Sequence, residues 1–487
     1  MGARMTRHSQ PPDMPADLAG QLAAAGQTGL CAEWERLDAA ARTSLLSQLE
    51  TLDWPLVAAM RARVLAAHET EPPRDAAGVA PPRLDDATTP PCLRLRDDHN
   101  PIPPAVAAAR GTAGLAAGRV GAILVAGGQG SRLGFDGPKG LYAIGPVSQA
   151  SLFEILCGKL VAVARRQGAA VPLAIMTSSA TDAATREFLA HHDNFGLPED
   201  RVLFFRQHDL PALNDTTGEL LRDAPGHLAM APDGHGGMLG SLAEAGGLEW
   251  FARQGADHIV SFQVDNPLAM PLDAEFLGYH MLTDSEFTPQ VVPKTDPAER
   301  VGVVVAAAGV TRIVEYSDLP ATMAAARLPD GRLKFHAGSI AVHAFTRAFL
   351  ERTAAQADAL PLHMAHKAVS CIDATGRQIT PAAPNAYKFE RFLFDLMPLA
   401  RAVTLVEVDP AEGFAPLKNA AGAGADTAAH VKAAIMAQAH RLLRRAGVTV
   451  ADDVAVELAA NRIVDAADIA AWLPPGSVVT EPQVIGR

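Results

Sequence analysis

The chain is poor in cysteine and carries no excess of positive charge. Four cysteines occur in 487 residues, at Cys31, Cys92, Cys157 and Cys371, and none stands in a CxxC spacing. That usage reads as free thiols in a reducing compartment. Lysine and arginine total 42 against 54 acidic residues, a net charge of −12. Such a balance argues against a general nucleic-acid or anionic-membrane surface, so neither partner is expected. No apolar run approaches the length of a membrane span. The opening residues lack the apolar region of a signal peptide, and a cytoplasmic location is expected. The start MGARMT fits the loose myristoylation pattern through Gly2 and Thr6, but a polar leader is the expected reading. Internal repeats are also missing. Apolar residues make up 48% and charged residues 20%, an ordinary globular composition. The length suits more than one domain.

Two common nucleotide loops are missing as well, although a glycine-rich run dominates the sequence. The segment AGGQGSRLGFDGPKG (126–140) follows the apolar stretch Val120–Val125 and precedes a helix-like stretch, 151–166. It is no Walker A loop, because Lys139 is followed by Gly140 and preceded by Pro138. The dinucleotide fingerprint fails too: Gly128 and Gly130 open it, but Leu133 holds the third glycine position. A loop of this kind still presents backbone N–H groups and two cations, Arg132 and Lys139, to a polyphosphate. With the global field acidic, local cations such as Arg132, Lys139 and Lys418 must hold any phosphate.

Apolar periodicity predicts strands at 120–126, 171–177, 202–205 and 257–264, and helices at 151–167, 181–192 and 238–254. Alternation of this sort argues for a mostly parallel sheet with helices on both faces. Ligands of such sheets bind at the carboxyl ends of strands. The glycine loop, Gln207 and Asp265 each follow a predicted strand and are expected to converge there. Residues 16–70 read as two or three helices, residues 1–15 as disordered, and residues 71–110 as an extended connector with short helices. Short strands are expected over 288–350. Residues 427–446 read as a helix, and the tail after 447 as a small appendage.

The glycine run resembles the signature of the UDP-N-acetylglucosamine and UDP-glucose pyrophosphorylase superfamily, L-x-G-G-x-G-T/S-R-L-G-x-x-x-P-K-G. Further segments are similar to that family in the same order: FFRQHDLPAL (204–213), APDGHGG (231–237), FQVDNP (262–267), RVGVV (300–304), IVEYSDL (313–319), FHAGSIAVH (335–343), KFERFLFD (388–395) and FAPLKNA (414–420). The resemblance implies an α/β nucleotide-diphospho-sugar transferase fold, glycosyltransferase-A-like. It has a mostly parallel mixed sheet flanked by helices, with N-terminal helices and a small C-terminal domain. The implied organisation is 1–111 as helical and connector region, 112–400 as nucleotidyltransferase core and 401–487 as C-terminal region.

The implied reaction is attack of a sugar-1-phosphate oxygen on the α-phosphorus of UTP, releasing pyrophosphate. By resemblance Arg132 and Lys139 are catalytic cations facing the triphosphate, and Asp265 holds Mg2+. Gly127, Gly128, Gln207 and Gly234 would bind the nucleotide, Gln207 by reading the uracil edge. His235, Gly302, Glu315, Ser339 and Lys418 would bind the sugar or its phosphate. Taken without the motif, Asp265 reads equally well as a turn residue before Asn266-Pro267, and Glu315 and Lys418 as surface residues.

N-acetylglucosamine-1-phosphate is the expected acceptor, with glucose-1-phosphate or several sugars as the alternative. His235 and Ser339 stand where the acetylhexosamine branch carries asparagines. A non-catalytic UDP-sugar sensor would lack the cations or the carboxylate, yet all are present. A dehydrogenase reading rests only on the strand–loop–helix order. His363 and His366 have a spacing that suits a metal on a helix, but no role is assigned to them. The partners are UTP and a sugar-1-phosphate; the oligomeric state is open, with a monomer favoured.

Overall fold

The computed structural model describes residues 13–67, 84, 86–356, 360–373 and 375–487. The expectations for residues 1–12, and for 71–83 of the connector, lie outside the described residues. The chain divides into two compact units. One gathers residues 1–81, 208–237 and 359–392, the other 82–207, 238–358 and 393–487.

In the first unit, residues 16–66 form four helices, Ala16–Ala24, Gly29–Trp34, Ala39–Leu49 and Trp54–Ala66, rather than two or three. The boundaries have local causes. Gly26 takes a left-handed φ of +69° after the first helix, which a glycine adopts without steric cost. The carboxylates of Asp38 and Asp53 accept from the amides of Ala41 and Leu56, capping the third and fourth helices. The apolar faces bury Leu22, Leu45 and Met60 with Leu213, Leu228 and Phe389. Buried Gln27 donates to the Gly218 carbonyl at 3.0 Å and accepts from the Leu220 amide at 2.8 Å. This satisfies a side chain that would otherwise be costly to bury.

The second unit carries a ten-stranded sheet. Along its path the strands run Cys92–Arg94, Leu405–Glu407, Phe287–Pro293, Ala337–Thr346, His258–Gln263, Val120–Val125, Leu173–Thr177 and Val202–Arg206. The hairpin Val303–Ala307 and Val310–Val314 joins at Val303, opposite Gly338. The four strands 258–263, 120–125, 173–177 and 202–206 are mutually parallel. Only 337–346 among the path strands runs antiparallel to both its neighbours. The apolar runs of 120–125 and 173–177 fit their burial on both faces.

Two expectations change in detail. The connector contributes the edge strand 92–94 and a 13-residue helix, Pro104–Ala116. Its Pro103-Pro104 pair starts the helix, where a missing N–H costs nothing. The helix expected over 238–254 is two helices, Met238–Glu244 and Gly247–Arg253, parted by Gly246 at φ +67°.

Helix Pro104–Ala116 crosses helix Ala274–Leu282 with almost no space between backbones. A Cβ on Gly111 would sit 1.8 Å from the Ala274 carbonyl oxygen, and one on Gly278 would sit 1.7 Å from that of Ala107. The C-terminal residues build a small core of Leu443, Val448, Val450, Val456, Ile463 and Val479. From it, Glu457 accepts hydrogen bonds from the amides of Val147 and Ser148, at 3.1 and 2.9 Å, and from the Ser148 hydroxyl at 2.7 Å. That carboxylate fixes the turn leading into helix Leu152–Gln167. No helix among the described residues is long and apolar enough to cross a membrane.

Candidate active site

The glycine loop leaves the carboxyl end of the 120–125 strand and closes on itself. The Lys139 amide donates to the Gly128 carbonyl at 3.0 Å, and the Gly130 amide to that of Gly137 at 2.8 Å. Gly134 and Gly137 hold φ of +68° and +142°, conformations that favour glycine. The amides of Gly127, Gly128 and Gln129 have no hydrogen-bond acceptor among the described residues. They form a row of donors available to an anion. Arg132 lies in the short turn Ser131–Leu133, exposed and without an ion pair among the described residues.

Gln207 follows the 202–206 strand and is 5% exposed. Its amide lies over Gly127, where a Cβ would approach Gln207 Nε2 to 2.8 Å. The Gly127 carbonyl accepts from the Ser178 hydroxyl at 2.8 Å. A side chain at 127 would displace the glutamine amide, and the parallel strands bring the two together although 80 positions separate them in sequence.

Asp265 follows the 258–263 strand, beside the glycine loop. Its carboxylate stands 3.9 Å from Lys139 Nζ, and both side chains are mostly buried, at 16% and 18% exposed. Lys139 Nζ also donates to the Leu417 carbonyl at 3.3 Å. The Leu417 amide donates to the Asp265 carbonyl at 2.8 Å. The segment before Lys418 is thus tied to the backbone of Asp265 and to the loop lysine. The Lys418 ammonium itself lies 5.8 Å above the Phe414 ring, within cation–π range.

A second group forms at the hairpin. The Ser339 amide donates to the Gly302 carbonyl at 2.8 Å. A Cβ on Gly302 would lie 2.9 Å from Glu315 Oε1. Ser261 pairs with His343 in the antiparallel register, so the strand that leads to Asp265 neighbours the strand that carries Ser339. The structure therefore collects Gly127, Gly128, Arg132, Lys139, Gln207, Asp265, Gly302, Glu315, Ser339 and Lys418 in one unit.

Gly234 and His235 belong to the other unit. Gly234 has φ +72°, and a Cβ there would meet the Arg391 carbonyl oxygen at 2.6 Å. His235 stacks on Phe392 with centroids 5.3 Å apart. Sequence reasoning missed the pair that shapes this loop. Arg391 Nη1 donates to buried Asp233 at 2.5 Å. The Arg391 amide donates to the Asp233 carbonyl, and the Gly236 amide to that of Arg391, both at 2.8 Å. Their signal was their place in the segments APDGHGG and KFERFLFD. His363 and His366 lie on a strand, His363–Lys367, where their odd spacing sends them to opposite faces. His366 meets Asp215 at 2.9 Å and His363 packs on Phe392, so no shared metal is indicated.

Three histidines are held neutral. Burial, then His363, pushes His235 down to about 4. Burial, then Arg119, takes His258 to about 4. Burial, then His258, takes His280 to about 3. A folded pKa below the unfolded value near 6.5 means the unfolded chain binds the proton first. The stabilising contribution is complete above that unfolded value and is lost as pH falls toward the folded one. Tm is expected to drop between about pH 6.5 and 4.5, each ring costing up to roughly 1.4 kcal/mol per pH unit. Calorimetry across that range checks it; a Tm as high at pH 5 as at pH 7 would sink the assignment.

A closed glycine loop at a strand end, an amide seated on its first glycine and a carboxylate beside a loop lysine define an α/β nucleotidyltransferase. The chain belongs to the UTP–glucose-1-phosphate uridylyltransferase family, whose match runs over residues 106–442. It is similar to the UDP-N-acetylhexosamine pyrophosphorylase-like protein 1 of Xenopus tropicalis, 34% identical over 449 residues, covering 88% of this chain and 84% of the relative. It is also similar to the UDP-N-acetylglucosamine pyrophosphorylase of Saccharomyces cerevisiae, 36% identical over 352 residues, with 71% and 74% covered. Among solved structures, a putative UDP-N-acetylglucosamine pyrophosphorylase from Entamoeba histolytica superimposes with a TM-score of 0.74 at 28% identity, over 81% of this chain and 99% of that one.

Proposed function

We propose that this chain transfers the uridylyl group of UTP to N-acetylglucosamine-1-phosphate, giving the UDP-sugar and pyrophosphate. The observation that carries the reading is the ammonium of Lys139, held 3.9 Å from the Asp265 carboxylate at the carboxyl ends of parallel strands. The names of the similar proteins support the acceptor.

Nucleotidyl transfer asks for alignment and neutralisation of charge rather than a protein nucleophile. In this reading the free amides of Gly127 and Gly128 and the cations Arg132 and Lys139 receive the triphosphate and steady the departing pyrophosphate. Gln207 reads the uracil edge, offering one donor and one acceptor, with Gly234 lending backbone. Lys418 holds the sugar phosphate and Gly302, Glu315 and Ser339 bind the sugar, and His235 is a further sugar-binding residue of the first unit. With its pKa pushed down to about 4, His235 stays neutral at working pH and serves as a binding group.

No cluster of three or more metal-ligating side chains exists among the described residues. One carboxylate at a strand end still fits Mg2+, which takes one or two carboxylates and fills its shell with substrate oxygens. Asp265 would hold it. When bound, the ion supplies charge neutralisation on phosphate oxygens. A cytoplasmic setting, with a monomer as the working unit, completes the reading; the four free cysteines support a reducing compartment.

The test is pyrophosphate release from UTP with Mg2+ across glucose-, galactose-, N-acetylglucosamine- and N-acetylgalactosamine-1-phosphate. Preference for N-acetylglucosamine-1-phosphate is the expected result; preference for glucose-1-phosphate moves the acceptor to the other branch. Replacing His235→Asn and Ser339→Asn together is expected to raise the acetylhexosamine-to-glucose ratio of kcat/KM by about tenfold, near 1.4 kcal/mol. An unchanged ratio removes both positions from acceptor choice.

A further inference from the structure

Behind the turn that carries Asp265 sits a lysine that the chemistry above does not use. Lys159 projects from helix Leu152–Gln167. Its Nζ donates to the carbonyls of Pro267 and Ala269, at 2.5 and 2.9 Å. These two carbonyls belong to the turn that begins at Asp265. From the same turn, buried Asn266 donates to the Gly413 carbonyl at 2.8 Å and accepts from the Ala415 amide at 3.1 Å. Two residues on, Leu417 bonds both Asp265 and Lys139 through its backbone. The chain of contacts from Lys159 thus reaches the backbone of Asp265, the loop lysine and the segment entering Lys418.

Lys159 has no ion pair among the described residues, and burial pulls its pKa down to about 7. An apolar side chain would avoid that desolvation cost. What it would not supply is donors for two inward-facing carbonyls. Even the neutral amine has two N–H groups, the number those carbonyls accept. A cavity of about 660 Å³ adjoins Lys159, Pro267, Met270 and Leu272, leaving room for a larger cationic side chain.

We propose that Lys159 is a positioning residue for uridylyl transfer. It holds the 265–269 turn so that Asp265, Lys139 and Lys418 keep their mutual placement. The proposal rests on the reading of those three as site residues. Misplacing aligned groups by about 1 Å costs on the order of 100-fold in rate.

The experiment compares the full chain with Lys159→Met and Lys159→Arg. For Lys159→Met, kcat is expected to fall on the order of 100-fold while the KM values for UTP and the sugar phosphate stay within about threefold. The Arg variant is expected to return kcat to within about fivefold, since its fork can serve two carbonyls. Amide exchange followed by mass spectrometry gives a readout free of turnover: exchange in Lys159→Met is expected to quicken over 264–270 and 413–419 and nowhere else. Wild-type kcat in Lys159→Met overturns the proposal. So does an Arg variant that folds yet is as slow as Met, or exchange that quickens throughout, which marks a merely structural residue. If the wild-type chain turns over no sugar phosphate, the uridylyl-transfer reading fails. The exchange comparison then still decides whether Lys159 holds the turn.

Discussion

Replacing Lys139 by alanine is expected to lower kcat about 1,000-fold, near 4 kcal/mol of transition-state stabilisation, while leaving the fold intact. The size follows from where the ammonium sits. It is mostly buried, close to one carboxylate and one carbonyl, so its charge acts where water screens it poorly. Pyrophosphate gains charge as it leaves, and this cation can meet that charge without reorganising. KM for UTP should move far less than kcat, because the free amides of the loop and Gln207 still receive the nucleotide. The fold should survive because the loop is closed by backbone bonds, from Lys139 to Gly128 and from Gly130 to Gly137. Single-turnover pyrophosphate release with a thermal melt checks both halves. A rate within tenfold of wild type would take Lys139 out of the chemistry.

The largest effect on stability is expected from Gly278→Ala. The added methyl carbon would lie 1.7 Å from the Ala107 carbonyl oxygen and 2.3 Å from its carbon. Those atoms are backbone of a packed helix and cannot step aside as a side chain tip can. The helices must part, and the reciprocal contact of Gly111 with Ala274 is lost with them. Overpacking of this kind costs typically 1–3 kcal/mol, and a backbone clash puts the value at about 3 or above. A fall in Tm of about 4 °C should follow. Gly118, at φ +67° with open space around it, is the control: there alanine strains only its own backbone, and the loss should be smaller. Equal melting of the two variants would show that the crossing yields more easily than its geometry implies.

The glycine loop, Gln207 and Asp265 were legible because each ends an apolar run, and a parallel sheet gathers strand ends on one side. The four strands behind them emerge within about two residues of their expected limits. What stayed hidden depends on partners far off in the chain. Lys159 reads as one more polar position on an amphipathic helix until Pro267 and Ala269 are seen beside it. Asp233 and Arg391 stand 158 residues apart, and nothing in either neighbourhood names the other. The edge strand 92–94 is too short for any periodicity, and only its pairing with 405–407 defines it. Gly246 is visible as a residue, but only its left-handed φ makes it a break between two helices.

The first unit is assembled from stretches of chain widely separated in sequence, which gives its synthesis a particular timing. Helices that bury Leu22, Leu45 and Met60 leave the ribosome early, whereas Phe389, part of the same core, follows more than 300 residues later. At about 5–20 residues per second, that interval lasts tens of seconds. For the first half of it the nascent helices lack Leu213 and Leu228, and to its end they lack the cover that Phe389 gives. Their safety in the cell therefore falls to whatever shields exposed apolar surface during translation, well before any substrate is met.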